Sequence, residues 1–270
     1  MRLALGIRYN GQAYDGWQSQ PSGRTVQDKL EAALSQFANQ PVSTLCAGRT
    51  DAGVHALMQV VHFDTTAVRA PFSWVRGTNS LLPDDIAVQW AHPVPAQFHC
   101  RASALTRRYV YVLSQSPVRP SLEAGRVGWS MHVLDGDAMR AAAAMLLGRH
   151  DFSSFRASAC QALSPVKEMR RIAISRHGDA DRCRWHVEFE ADAFLHHMIR
   201  NIMGCLVRIG QGKERPEWMR EVLEARSRLA AAPTFSPNGL YFLGPLYAAG
   251  WGLPPEATIE GGGAAYDGPP

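Results

Sequence analysis

The 270-residue sequence predicts an α+β fold assembled from two β-α-β-β-α-β halves, the split βαβ arrangement. Three observations point there. Period-2 alternation marks strands near both ends, helical periodicity lies between pairs of strand-like runs, and the same order of elements recurs after residue 104. Leu3, Leu5, Ile7 and Tyr9 alternate with Arg2, Ala4, Gly6 and Arg8, which predicts a strand with one buried face. Thr25 and Asp28 have capping-box spacing, and Val26, Leu30, Ala33, Leu34 and Phe37 then mark an amphipathic helix. Strand-like runs at 42–47 and 56–63, a helix at 71–82 and a strand at 86–94 complete the first half. In the second half Tyr109, Tyr111 and Leu113 alternate, and residues 136–147 read as a helix. Strands follow at 169–176 and 183–190, the latter setting Cys183, Trp185, Val187 and Phe189 against Arg184, His186 and Glu188. A helix at 194–209, a helix opened by Pro216 and a strand at 240–247 end the pattern.

These elements divide the chain into an N-terminal α/β subdomain at 1–103 and a C-terminal one at 104–252. Residues 253–270 carry three acids and no base among glycines and prolines, a composition expected not to pack. Two copies of one topology suggest sheets joined edge to edge with a central cleft.

Hydrophobic residues make up 46% of the chain and charged residues 19%, values of a globular protein. No apolar run approaches a membrane span. The stretch Met1–Arg8 is too short for a secretory signal, so a cytoplasmic location without a membrane partner is expected. The five cysteines are scattered with no C-x-x-C pair, which suggests neither a disulfide framework nor a zinc site. Of the 28 basic residues only Lys29, Lys167 and Lys213 are lysines. Arginine forks grip phosphate and stack on bases, which suits RNA. Arg101, Arg107, Arg108 and Arg119 fall in a stretch, 101–120, that has no acid, and 167–184 is also basic. Either segment could track a phosphate backbone or form an ordinary solvated face.

The segment Ala47-Gly48-Arg49-Thr50-Asp51-Ala52-Gly53-Val54-His55-Ala56 is the most informative in the chain. Its glycines permit positive φ and close approach by another molecule. Arg49, two residues from Asp51, can hold the carboxylate ionised, since a nearby opposite charge lowers an acid's pKa. Such an acid can act as nucleophile or proton acceptor. A tight turn with a solvated ion pair would look the same in isolation.

Gly48–His55 resembles the catalytic segment of the tRNA pseudouridine synthase A (TruA) family. Further motifs of that family follow in order: Tyr9-Asn10-Gly11 with Tyr14–Gln20, Asn79–Pro83, Phe98–Arg101, Arg107–Tyr111, Asp151–Arg156, Phe194–Asn201 and Gly239–Tyr241. The resemblance runs from about residue 3 to about residue 247. It implies a pseudouridine synthase fold, a mainly antiparallel mixed sheet with a central cleft. It also implies cofactor-free isomerisation of uridine at positions 38, 39 and 40 of the tRNA anticodon stem-loop, by a homodimer. On this resemblance Asp51 is the essential carboxylate. Arg49 helps extrude the target base and takes its place in the stack, and Tyr109 stacks on the flipped uracil. Arg200 is the basic residue that pairs with the aspartate; on helical geometry it points away from the stripe of Leu195, Ile199, Ile202 and Leu206. Arg101, Arg107, Arg108 and His55 are expected to contact substrate, and no metal or DNA is expected. Ala102, Cys100 and Ala193 depart from the family pattern by small changes of side-chain volume.

Pseudouridine formation breaks a glycosidic bond and rejoins the base through C5, so it suits a chain without a phosphate loop, dinucleotide fingerprint or metal-ligand spacing. A nucleoside glycosidase would need a second acid to activate water, and no acid flanks Asp51 within its motif. A non-catalytic RNA-binding module would have no use for Arg49, Asp51 and Tyr109 together.

Overall fold

The computed structural model describes residues 1–179, 182–262 and 266. They form two compact units, one of Met1–Arg107 with Tyr241–Pro270 and one of Arg108–Leu240. The strands are β1 (Arg2–Tyr9), β2 (Leu45–Cys46), β3 (His55–Asp64), β4 (Ile86–Val94), β5 (Thr106–Gln115), β6 (Gly128–Ser130), β7 (Gly148–Asp151), β8 (Val166–Gly178), β9 (Cys183–Ala191) and β10 (Leu240–Leu246). The helices are α1 (Val26–Ala38), α2 (Pro71–Asn79), α3 (Gly136–Ala144), α4 (Met198–Gly210) and α5 (Trp218–Ala225). Pairing is mainly antiparallel, as in β1 with β3 and β4, β2 with β3, and β8 with β7 and β9. The expected α+β class is therefore the observed one.

In the first unit the order is β4-β1-β3, and β3 carries both β2 and β10 on its far edge. β2 pairs near the C-terminal end of β3, through Leu45↔His62 and Cys46↔Val61. β10 runs parallel to the other end, through Tyr241↔His55 and Phe242↔Ala56. That pairing changes the expected division of the chain. The boundary falls at 107/108 rather than 103/104, and the strand at 240–246, expected with the second half, returns almost whole to the first.

Helices cover one face of these strands. The Thr25 hydroxyl accepts from Asp28 N–H at 3.2 Å and the Asp28 carboxylate accepts from Thr25 N–H at 3.3 Å, so α1 starts on the anticipated capping box. Trp74 of α2 is fully buried, in edge contact with Phe37 and Phe63 at 5.2 and 5.4 Å between ring centres. The opposite face is covered as well, by Ala4, Met58, Val60, Phe98, Cys100, Tyr247, Leu253 and Ala257. Strand β1 is thus buried on both faces, not one. The middle of its second face carries the small residues Ala4 and Gly6: a Cβ on Gly6 would lie 2.2 Å from the Trp90 ring.

Two further expectations change for local reasons. The run at 42–47 forms only a two-residue strand, because side chains take the backbone bonds before it. Ser35 accepts from Val42 N–H at 2.9 Å and Glu31 from Thr44 N–H at 2.7 Å. The segment 253–259, expected to stay unpacked, belongs to the core. Leu253, Ala257 and Thr258 are buried, and Tyr247 N–H donates to Ala257 O at 2.9 Å. A few well-spaced anchors suffice there, and composition averages them away. Residues 263–265 and 267–270 of the tail lie outside the described residues.

His62 of β3 is buried in this core, and burial beside Arg2 and His99, against weaker support from Asp64, pulls its pKa down to about 4. The ordinary imidazole value is about 6.5, so protonation favours the unfolded chain. The stability His62 contributes is intact above that value and is lost as pH falls towards 4. The unfolding temperature should drop across that window, and His62→Gln should flatten part of the drop. An unchanged pH profile in the variant would contradict this.

In the second unit the order is β5-β9-β8-β7, with β6 parallel to β5. Cys183, Trp185, Val187, Phe189 and Ala191 of β9 are buried while Arg184, His186, Glu188 and Glu190 are half-buried, the anticipated alternation. Helix α3 stops at Ala144 because i→i−3 bonds from Met145, Leu146 and Leu147 tighten the last turn before Gly148 at φ +95°. Helix α4 begins at Met198, four residues later than expected, because His197 is left-handed at φ +63° and cannot extend it backwards. The helix is buried nearly all round, with only Arg200 and Arg208 not buried. Strands β6 and β7 were not anticipated; each is four residues or fewer and carries no periodicity.

Candidate active site

The Asp51 segment is a loop between β2 and β3 whose backbone is held at several points. Ala47 N–H donates to Val60 O at 2.8 Å, the last main-chain rung after β2. The Gln59 side chain then takes over at Gly48, donating to its carbonyl at 2.5 Å and accepting from its N–H at 3.3 Å. The Tyr9 hydroxyl and the Thr50 hydroxyl are 2.7 Å apart, and Trp17 N–H donates to Thr50 O at 3.0 Å. Val54 N–H closes a turn on Asp51 O at 3.1 Å, with Gly53 at φ +78°.

The N-terminal motif lies against this loop. A Cβ on Gly11 would sit 1.9 Å from Val54 O, and one on Gly16, at φ +98°, would sit 2.8 Å from Thr50 O. The glycines of residues 11–16 are therefore explained by close approach to the loop. His55 is 2% exposed; its Nδ1 accepts from Gly11 N–H at 3.1 Å and its ring stacks on Tyr241 at 4.6 Å. Among the residues expected to contact substrate, it is buried and ties the loop to the Gly11 motif.

Asp51 is half-buried and Arg49 is exposed. Arg49 and Arg101 both lie close enough to Cys46 to favour its thiolate, although burial has the larger effect and raises the thiol pKa. Arg101 is exposed and reaches Cys46 Sγ with Nη2 at 3.8 Å, so the first unit gathers two of the expected RNA-contacting arginines around one point. Arg107 spends its guanidinium on carbonyls, Ala104 O at 3.3 Å and Arg101 O at 2.5 Å.

The second unit holds the remaining expected residues. Tyr109 of β5 is 8% exposed and meets Phe194 edge to face, ring centres 5.2 Å apart. Burial lowers the Arg108 pKa while Glu190 and Glu188 support its charge, so this arginine answers carboxylates of β9. Arg200 donates from Nε to Phe235 O at 2.9 Å, and its own carbonyl accepts from Phe235 N–H at 3.1 Å. These two bonds aim the guanidinium from the first turn of α4. Tyr9, Thr50 and Gln59 form a polar network in the first unit, a connection that the sequence alone does not reveal. Tyr9 and Thr50 lie within quoted motifs, but their contact and the part of Gln59 emerge only once the register is known.

His62, His99 and Cys100 offer donor atoms within 4.8 Å of one another. Their chemistry does not suit a cation. His62 Nδ1 accepts from Cys100 N–H at 3.3 Å, and His99 Nδ1 accepts from Arg101 and Ala102 N–H, both at 3.2 Å. An imidazole that accepts at Nδ1 carries its proton on Nε2 and has no lone pair left there for a metal. Burial also pushes the Cys100 thiol up to about 12, away from the thiolate a metal needs.

Comparison with known proteins gives the family. The model of the tRNA pseudouridine synthase family matches residues 7–101 and 142–248. The tRNA pseudouridine synthase A of Variovorax paradoxus (strain S110) is 82% identical over the whole of both chains. That of Paracidovorax citrulli (strain AAC00-1) is 67% identical over 99% of each. Among solved structures, a Cbf5-Nop10-Gar1 complex is similar at TM-score 0.34 and 12% identity, over 85% of this chain and 60% of that one. The sequence matches define an RNA-modifying isomerase. The chain belongs to the tRNA pseudouridine synthase family, enzymes that isomerise uridine to pseudouridine in tRNA.

Proposed function

We propose that this enzyme isomerises uridines at positions 38, 39 and 40 of the tRNA anticodon stem-loop, with Asp51 as its essential carboxylate. The reaction breaks the N1–C1′ bond, turns the uracil and forms a C5–C1′ bond. The C5 proton is lost and N1 gains one, so no cofactor is consumed. Asp51 begins the sequence by attack at C1′, attack at C6 or removal of the C2′ proton. The observation that carries this reading is the loop around Asp51, which buried groups hold at Gly48, Thr50 and Val54 while the acid itself stays half-buried. A pre-positioned charged group of this kind is what acid–base or nucleophilic catalysis requires.

Arg49 stacks where the extruded base was, offsetting part of the few kcal/mol that flipping costs. Tyr109 offers its ring to the uracil, and Arg200 is the cation that keeps the reacting carboxylate ionised. Arg101, exposed beside Arg49, grips phosphate. The enzyme acts in the cytoplasm as a homodimer, and no helix among the described residues is long and apolar enough to cross a membrane. Incubation with an unmodified tRNA transcript, followed by carbodiimide treatment and reverse transcription, should give stops diagnostic of pseudouridine at 38–40. Modification confined to another arm of the tRNA would refute the site assignment, and a monomeric mass in solution scattering would refute the dimer.

A further inference from the structure

The main-chain ladder between β2 and β3 ends one residue before the catalytic segment. Its pairs are Leu45↔His62 and Cys46↔Val61, followed by the Ala47 N–H to Val60 O bond. Continued, the register would next pair Gly48 with Gln59. In an antiparallel ladder that pair, next to the bonded Ala47–Val60 pair, makes no main-chain bonds of its own; here the Gln59 side-chain amide answers both the N–H and the carbonyl of Gly48. Gln59 is fully buried, so this is a built contact and not a surface accident. These two bonds fix the Gly48 peptide on the side chain of Gln59 just before Arg49.

A second point of control lies two residues on. The buried Tyr9 ends β1, and its hydroxyl meets Thr50 Oγ1 at 2.7 Å while also lying within reach of the Gln59 side chain. Burial pushes the Tyr9 phenol up, so it stays protonated and serves as a hydrogen-bond group only. Trp17 N–H holds the Thr50 carbonyl from the other side. Arg49 is thus suspended between a clamped Gly48 and a clamped Thr50, and Asp51 follows directly.

We propose that Gln59 and Tyr9 are positioning residues for the isomerisation, setting the height and rotation of the Arg49–Asp51 segment through Gly48 and Thr50. The proposal rests on the reading of Asp51 as the reacting carboxylate. Neither side chain meets RNA; their effect falls on the turnover step, because a displacement of about 1 Å in a reacting group can cost about 100-fold in rate.

The test measures single-turnover rate, tRNA affinity and unfolding temperature for Tyr9→Phe, Gln59→Met, Thr50→Val and Thr50→Ser. The rate is expected to fall about 10- to 100-fold in the first three, with affinity within about twofold of wild type. Thr50→Ser, which keeps the hydroxyl, should restore most of what Thr50→Val loses, and Tyr9→Phe with Thr50→Val should be no worse than either alone. If Gln59→Met does not fold, Tyr9→Phe, which deletes one oxygen, decides the matter. A wild-type rate in Tyr9→Phe, a loss seen only as weaker binding, or equal losses in Thr50→Val and Thr50→Ser would overturn the proposal. Asp51→Asn run alongside separates the two levels: turnover retained there sinks the reading of Asp51. An inactive Asp51→Asn beside a fully active Tyr9→Phe sinks only the positioning role.

Discussion

Asp51→Asn is expected to abolish pseudouridine formation while leaving tRNA affinity within a few-fold of wild type. Asparagine keeps the shape of the side chain and removes its charge, so it can neither attack carbon nor take a proton. Removing a reacting group of this kind lowers turnover by about 10⁴-fold or more. The loop should survive the change, because its supports lie elsewhere: Gln59 on Gly48, Tyr9 and Trp17 on Thr50, and Gly11 under Val54. The Asp51 backbone carbonyl, which accepts from Val54 N–H, is untouched. Affinity should hold because the basic groups are intact. Rapid-quench kinetics with filter binding in parallel checks both halves. Residual activity near wild type would end the mechanistic assignment, and lost binding would mean that the loop had moved.

Trp185→Ala should be the most damaging single change to the second unit. The indole is 2% exposed, packs against Gly136 so closely that a Cβ there would lie 2.6 Å from the ring, and has the Arg176 guanidinium 5.9 Å from its ring centre. Its Nε1 donates to Gln115 Oε1 at 3.0 Å, the same oxygen that accepts from Leu134 N–H at 3.0 Å. Truncation leaves a large cavity between β9 and the start of α3. Aromatic-to-alanine changes in cores cost about 3–5 kcal/mol, which for a chain of this size lowers the unfolding temperature by about 10 °C. Trp185→Phe, which fills most of the space, should lose clearly less. Calorimetry on the three proteins checks this, and a shift below about 2 °C for the alanine variant would show that the site collapses without cost.

Much of the fold can be read from periodicity because each element buries one patterned face. Strand β9 is the clearest case, with five alternate side chains inward. Where that condition fails, pattern reading fails with it. Strand β1 is covered on both sides, and its second face uses Ala4 and Gly6, whose small size reflects close neighbours and not exposure. The segment around Leu253 and Ala257 packs through a few isolated contacts that no window average detects. At the site, Asp51 and Arg49 are legible because a motif carries them. Gln59 is not, since a buried amide in the middle of a strand gains meaning only when the register sets it opposite Gly48, and Tyr9, although a motif carries it, shows its contact with Thr50 only in the fold. His55 shows another limit: its place in the motif suggests contact with substrate, and its burial and its bond to Gly11, which the motif does not reveal, give it a structural tie as well. The expected grip of Arg107 on RNA meets a similar fact, a guanidinium already engaged by two carbonyls.

The measurement that bears most directly on the chemistry is tritium release from tRNA labelled at uridine C5 in the anticodon stem-loop. Isomerisation through a single carboxylate requires that each turnover free one C5 proton to water while the uracil stays attached to its ribose. Stoichiometric tritium in solvent, with no free base and none released by the Asp51→Asn protein, is the result the account predicts. Free uracil, or release that persists without the carboxylate, would contradict it.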